Sequence, residues 1–280
     1  TAYMTRARPL FHGALPVSAV LFSVGAPAPN FPGRKQAAPA GILPGHDFDW
    51  CNEDALLNRV TARDGLLVLP DGVSYRALVL PDHGILSLPV ARKLREFVKA
   101  GVAITGPKPV RTASLSGWPE SEVELKAIAG ELWQKDRIVT GPTAAELMAN
   151  RGIAPDVAWT NGNLDWIHRR DGSADIYFLS NPGKASIQTE VAFRIHARQP
   201  ELWNPLTGER RDAAAFRQEN GRTLVPVSLD PHGSIFVVFR KPIGALAKGS
   251  AADNEIQLKE SARIEGPWNV AFDPAWGGPE

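Results

Sequence analysis

Cysteine is all but missing from this sequence: Cys51 is the single one among 280 residues. One thiol excludes an intramolecular disulfide and a cysteine metal cluster, and it leaves the redox compartment open. Its ordinary role is a small packing side chain rather than a nucleophile. A basic excess is missing too, with 31 Lys and Arg against 30 Asp and Glu. Nucleic-acid binders draw most of their affinity from concentrated positive charge, so no nucleic-acid partner is expected. No stretch approaches the ~20 apolar residues of a membrane-spanning helix, so no membrane partner is expected either. The chain begins with Thr1 and shows no basic stretch followed by an apolar run and a cleavage site, so no signal peptide is read. A first residue other than Met fits a chain cut from something longer, or processed.

Several catalytic signatures are also absent. The six histidines (His12, His46, His83, His168, His196, His232) include no HExxH and no pair at i, i+4 spacing. No GxSxG elbow anchors a serine hydrolase. Cys51 follows Trp50 and precedes a helical pattern, whereas a class I amidotransferase needs its cysteine on a tight turn just after a strand. No GxGxxG follows the first strand, and Pro27 removes a backbone donor that a phosphate cradle would use, so no nucleotide cofactor is expected.

What is present is a chain able to bury a core, 44% hydrophobic and 22% charged. Residues 1–155 alternate apolar runs with helical patterns. Val17–Val24, Tyr75–Pro81 and Val102–Thr105 read as buried strands, with Ile138–Val139 a last short one. Leu88, Ala91, Leu94, Phe97 and Val98 recur at helical spacing, and Ala100–Gly101 ends that helix. Asn52–Val60, Glu122–Trp133 and Thr143–Asn150 read as further helices, with Ser121 and Glu124 at capping-box spacing. Strand, helix, strand within about 30 residues implies a parallel crossover. The expectation is a flavodoxin-like open α/β layer. Residues 26–45, rich in Pro, Gly and Ala, read as a long loop over it.

Residues 156–240 change period. Asp165–Arg169, Asp175–Ser180, Ser186–Ile195, Thr223–Leu229 and Ser234–Arg240 are short β-type runs between DG, NPG, TGE and HGS turns, which predicts an antiparallel β-sandwich. Residues 241–280 read as a linker over Lys241–Asp253, then the start of a further β domain, cut short, carrying Trp268, Phe272 and Trp276.

Candidate chemistry is thin. His46, Asp47 and Asp49 place one imidazole and two carboxylates close in sequence, a weak metal set that a turn held by Asp side chains explains equally. In an open α/β sheet, ligands settle outside the carboxyl ends of the strands, which here offer Ser23, Asp82, His83 and Thr105. Asp82 and His83 are the best candidates there, against the plainer reading of a solvated turn. Eight tryptophans are many. Trp133 and Trp166 read as core, whereas Trp118, Trp203 and Trp268 adjoin Pro or Asn-Pro and read as loop anchors or sugar platforms.

The run GHDFDWCNEDALLNRVTARDGLLVLPDGVSYRALVLP (residues 45–81) resembles the C-terminal half of family 106 glycoside hydrolases, the bacterial α-L-rhamnosidases. The same pattern continues through Leu88–Pro109, WIHRRDGSADIYFLSNP, FRIHARQPELWNPLTGE, SIFVVFRKP and GPWNVAFDPAWGGPE, in order along nearly the whole chain. The resemblance implies catalytic acids on a (β/α)8 barrel upstream, calcium in that barrel's active site, and a periplasmic or secreted location. The matched region would be the layers packed on the barrel. A barrel needs ~200 residues or more that this chain lacks, so no family catalytic residue is carried onto it and no cofactor is expected in it. Three readings follow: an accessory scaffold of a rhamnosidase-like glycosidase, with the barrel or carbohydrate as partner; a self-contained hydrolase using Asp47, Asp49, Asp82 and His83; or a sugar-binding module using exposed Trp.

Overall fold

The apolar run at Val17–Val24 forms a strand over Val20–Ser23, with all four side chains buried, in the computed structural model of the chain. The structure describes residues 2–27, 32, 45–134, 137–141, 143–245, 247–255, 260–273, 275 and 277. Most of the 26–45 stretch lies outside the described residues, as does Trp276.

Val20–Ser23 pairs in parallel with Phe48–Cys51 on one side and Ala77–Val79 on the other, and Ala103–Thr105 pairs in parallel with Ala77–Val79. Val139 adds one parallel bridge to Thr105 where a last strand is predicted. Such strands read as unbroken apolar runs because helices cover both faces. The helices are α1 (Ala2–His12), α2 (Glu53–Asn58), α3 (Leu88–Lys99), α4 (Glu120–Leu132) and α5 (Ala144–Asn150). Leu56 of α2, Leu94 and Phe97 of α3, and Ile128 and Leu132 of α4 pack with Leu21, Leu78 and Ile104 on one face of the sheet. Ala144, Leu147 and Met148 of α5 pack with Val20, Phe22, Phe48 and Val79 on the other. Asn52, Ser87 and Thr143 cap α2, α3 and α5 with their side chains, and Thr143 forms a full capping box with Glu146.

Two local expectations need correction. Ser121 does not cap α4: the helix begins two residues earlier than expected, at Glu120 behind Pro119, so Ser121 lies inside its first turn with a buried side chain. Glu124, the other half of the expected box, instead pairs with Arg92 of α3 at 2.7 Å. The predicted strand Tyr75–Pro81 is divided. Ser74–Tyr75 joins a three-stranded antiparallel sheet with Thr61–Arg63 and Leu66–Val68, and only Ala77–Val79 enters the parallel layer. The hairpin in that small sheet turns at Asp64 and Gly65, both at positive φ (53° and 76°), as an Asp-Gly pair readily does.

The remaining strands are antiparallel. A six-stranded sheet runs in the order Leu15–Pro16, Asp165–Asp171, Ala174–Ser180, Ser234–Pro242, Arg198–Trp203, Arg210–Asp212. A four-stranded sheet runs Arg217–Glu219, Arg222–Leu229, Ile187–Phe193, Val157–Trp159. Alternation turns Trp166, Tyr177, Leu202 and Phe239 of the first sheet toward Val191, Phe193, Val225 and Leu229 of the second, and these side chains form one core. The outer face of the six-stranded sheet is covered by α1, whose Tyr3, Ala7, Leu10 and Phe11 pack on Ile176, Phe178, Phe236 and Val238. So α1 and Leu15–Pro16 sit on this β body although the chain passes next into the parallel layer. Pro9 inside α1 masks its helical pattern in the sequence. Part of the expected linker is fastened down, because the Gly249 and Ala251 N–H groups donate to the Phe216 and Ala214 carbonyls. Just past it, the Asn254 amide donates to the Ala215 and Pro226 carbonyls and accepts from the Ala215 N–H. Among the described residues of the tail, Ile264, Trp268, Val270 and Phe272 are exposed.

Candidate functional site

The parallel strands decide where the predicted site residues go. His46 and Asp47 precede the strand Phe48–Cys51, Asp49 lies within it beside Leu21, and Asp82–His83 follow the carboxyl end of Ala77–Val79. A four-residue strand at ~3.3 Å per residue separates the two edges by roughly 10 Å. Asp47 and Asp82 therefore stand at opposite ends of the layer. Side-chain alternation then divides the metal candidates. His46 faces α5 beside Ala145 and Ala149, whereas Asp49 accepts the Tyr75 hydroxyl at 3.1 Å on the α3 side. Asp47 Oδ1 accepts the N–H of Phe48, the short-range bond expected of a turn aspartate. No three His, Cys, Asp or Glu side chains are grouped to hold a metal ion among the described residues.

His46 is buried and its Nδ1 has no hydrogen-bond partner among the described residues. Burial, followed by the Arg194 charge, lowers its pKa, so it is held as neutral imidazole. Burial likewise raises the Tyr75 hydroxyl pKa, with Asp49 adding to the effect. At the other edge Asp82 and His83 are exposed, and His83 Nδ1 accepts the Ile85 N–H at 3.1 Å, which closes the turn. His83 Nε2 lies against Gly25, where an added Cβ would approach it to 2.7 Å.

Cys51 ends its strand buried, and desolvation pushes its thiol up to about 12. Only the thiolate is nucleophilic. Iodoacetamide at pH 8 is therefore expected to leave Cys51 unmodified in the native chain and to alkylate it in urea, as intact mass would read. Rapid native labelling would contradict the buried placement.

The three candidate platforms differ. Trp118 and Trp268 are 62% and 65% exposed. Trp203 is half-buried with the Arg210 guanidinium 4.2 Å and that of Arg240 5.3 Å from its ring centroid, and its Nε1 donates to Glu201 at 3.2 Å. Those contacts occupy the ring in holding Glu201 and Arg240 in place.

Gly117, next to Trp118 in the chain, lines a feature that residue patterns did not reveal. The segments that follow strands Phe48–Cys51, Ala77–Val79 and Ala103–Thr105 meet where α2, α3 and α4 begin, around a cleft of about 540 Å³. Its lining includes Glu53, Ser87, Arg92, Ser116, Glu120 and Ser121. Ser87 Oγ donates to Glu53 at 2.5 Å, and Arg92 holds Glu124 through Nε and a terminal nitrogen, both at 2.7 Å. Ser121 is 5% exposed, and its Oγ is buried with no partner among the described residues. The one available sequence signal was the hydroxyl density of TASLSGWPES (Thr112–Ser121), which a loop reading absorbs.

A second missed group lies where the β body meets the layer. His168 donates from Nδ1 to Asp156 at 2.7 Å and from Nε2 to Asp175 at 2.9 Å, and its ring stacks on Tyr177 at 3.9 Å. The Tyr177 hydroxyl also donates to Asp156 at 3.1 Å, Arg194 approaches Asp156 at 3.3 Å, and Arg170 pairs with Asp175 at 2.7 Å. All but the two arginines are buried. Sealed in this way, the group acts as a structural clamp rather than a reactive centre.

Comparison with known proteins places this geometry. The model of glycoside hydrolase family 106, described as α-L-rhamnosidase, matches residues 1–218. A curated protein of Formosa agariphila named "Putative beta-glucuronidase" is 28% identical over 270 residues, which cover 92% of this chain and 22% of that protein. The solved structure of a rhamnosidase from Novosphingobium sp. PP1Y superposes with a TM-score of 0.76 at 26% identity, covering 93% of this chain and 25% of that one. The chain thus spans about a quarter of the length of each relative.

Proposed function

This chain belongs to the α-L-rhamnosidase family of glycoside hydrolases, and from that premise we propose that it is the non-catalytic bracing portion of a rhamnosidase-like enzyme. The carrying observation is one of proportion: nearly all of this chain corresponds to a quarter of a solved rhamnosidase. Glycoside hydrolysis needs two carboxylates flanking the scissile bond, one acting as acid and one as base or nucleophile. Asp49 is engaged by Tyr75, and Asp47 and Asp82 stand at opposite edges of the sheet. On this reading the catalytic acids and the family's calcium belong to a barrel. The parallel order of the layer supports its description as flavodoxin-like, and the two facing antiparallel sheets support the β-sandwich. Exposed Met4 and Leu206 on the β body, with Ile264, Val270 and Phe272 in the tail, supply apolar surface for the barrel to cover.

The test is hydrolysis of an aryl α-L-rhamnoside by the purified chain. The expected result is no turnover above the blank. Turnover that copurifies with the chain and disappears in Asp49→Asn or Asp82→Asn would defeat the bracing role and establish the self-contained hydrolase instead.

A further inference from the structure

We propose that the cleft between the starts of α2, α3 and α4 is a binding site for a neutral saccharide, with Trp118 as its stacking platform. The inference goes beyond the bracing role and does not depend on it. Three observations converge.

The first is position. The cleft is built from the segments leaving three parallel strands at their carboxyl ends, the place where open α/β layers seat ligands. Its volume, about 540 Å³, accommodates a sugar ring or two.

The second is unsatisfied chemistry. Buried polar groups are almost always hydrogen-bonded, and Ser121, a residue of this cleft's lining, has a buried Oγ that is an exception. A ligand hydroxyl can donate to it or accept from it, because each carries one donor and two acceptor lone pairs. Beside it Glu120, exposed in the first turn of α4, has no ion-pair partner among the described residues. The neighbouring groups are already oriented. Ser87 is tied to Glu53, Arg92 to Glu124, and the Thr112 Oγ1 and N–H both donate to Glu122. The walls are thus fixed while two groups stay open, and a preorganised wall lowers the ordering cost of binding.

The third is an exposed aromatic residue flanked in the chain by residues of the lining. Trp118 sits in the turn between Gly117 and Glu120, both of which line the cleft, and most of its surface is open to solvent. An indole gives a rigid apolar face with a polar tip, which suits the C–H face of a pyranose whose hydroxyls turn into the cleft. Charge selects among sugars. Glu53, Glu120 and Glu124 stand against the single Arg92, so the site disfavours a uronate and admits a neutral ring.

Calorimetric titration and ligand-observed NMR with L-rhamnose, D-galactose and D-glucuronate would test this on the whole chain. One of the neutral sugars is expected to bind saturably and D-glucuronate much more weakly. Trp118→Ala should weaken binding about tenfold, and Ser121→Ala and Glu120→Gln severalfold. Trp268→Ala, in the tail, should bind as the parent does. Trp118 and Glu120 are exposed, and Ser121→Ala removes an unpaired hydroxyl, so these variants fold and their binding can be read. The site is refuted if neither neutral sugar gives saturable heat or line broadening, if binding survives Trp118→Ala and is lost in Trp268→Ala, or if D-glucuronate binds as well as the neutral sugars. None of these results bears on rhamnoside turnover, so the two proposals fail separately.

Discussion

Replacing His168 with alanine is expected to destabilise the folded chain by about 3–5 kcal/mol, the usual cost of removing one member of a buried ion-pair group. The imidazole fills the space between Asp156 and Asp175, and without it both carboxylates remain in a site that excludes water. Burial opposes charge on His168, but the hydrogen bonds it donates to Asp156 and Asp175 outweigh it, and its pKa ends above the usual histidine value. Both aspartates are shifted the other way. Desolvation raises them, the bonds from His168 and its neighbours more than compensate, and the net shift is downward. The signs set the pH dependence. The histidine contribution is complete below its unfolded pKa of about 6.5 and is lost as pH rises through the raised folded value. The aspartate contributions are complete above about 4 and are lost as pH falls through their lowered values. Stability against urea should therefore peak in the mildly acidic range and decline toward alkaline pH, and His168→Ala should flatten the alkaline limb. A parent chain whose urea midpoint is unchanged between pH 5 and pH 9 would show that this histidine carries no charge in the fold. His168→Gln, which keeps some hydrogen-bonding capacity, is expected to lose less than alanine at alkaline pH and nearly as much at pH 5.

Part of this clamp was legible in the sequence. The Asp-Gly-Ser turn at 171–173 leaves a two-residue hairpin connection, and counting back from it pairs His168 with Tyr177 and Arg170 with Asp175, as the register has them. Trp166 reads as inward-facing, and His168 is two residues on, so it shares that face. Asp156 was not legible, because it enters from the junction between the two bodies and no local period brings it to residue 168. The parallel layer was readable for the opposite reason: Val20–Ser23 and Ala103–Thr105 are buried on both faces and therefore appear as unbroken apolar runs. Arg198–Trp203 escaped notice because Pro200 interrupts it beside a register shift, a place where sheets tolerate proline and sequence rules do not expect a strand. The candidate acids could be named but not located. Alternation puts Asp47 and Asp49 on one face and Asp82 reads at the carboxyl end of a strand, yet nothing local reveals that Tyr75 occupies Asp49 or that Asp47 stands at the opposite edge. The cleft between the starts of α2, α3 and α4 is assembled from three separate connections, so it exists only once the layer has formed.

Gly45→Ala is the second substitution expected to be severe, at about 3 kcal/mol or more, and its cost has two separable sources. Gly45 holds φ at 71°, where an L side chain costs of order 1–3 kcal/mol. An added Cβ would also fall 1.9 Å from the Val157 carbonyl oxygen and 2.7 Å from Pro155 Cβ, and backbone displacement of that kind adds ~1–3 kcal/mol. Gly152 provides the control, since it adopts φ of 65° with nothing near its Cβ position, so Gly152→Ala should cost only about 1 kcal/mol. The difference between the two variants measures the clash alone. That clash falls on the seam of the molecule. The Gly45 carbonyl accepts the N–H groups of Asp156 and Val157 at 2.6 and 3.2 Å, and through them positions both the carboxylate that grips His168 and the edge strand Val157–Trp159. Displacing it loosens the layer from the β body before it unfolds either. Urea unfolding followed by tryptophan fluorescence should therefore broaden or split in Gly45→Ala while remaining a single transition in Gly152→Ala. If the two variants unfold alike, Gly45 is one turn glycine among several, and the junction is held by some other contact.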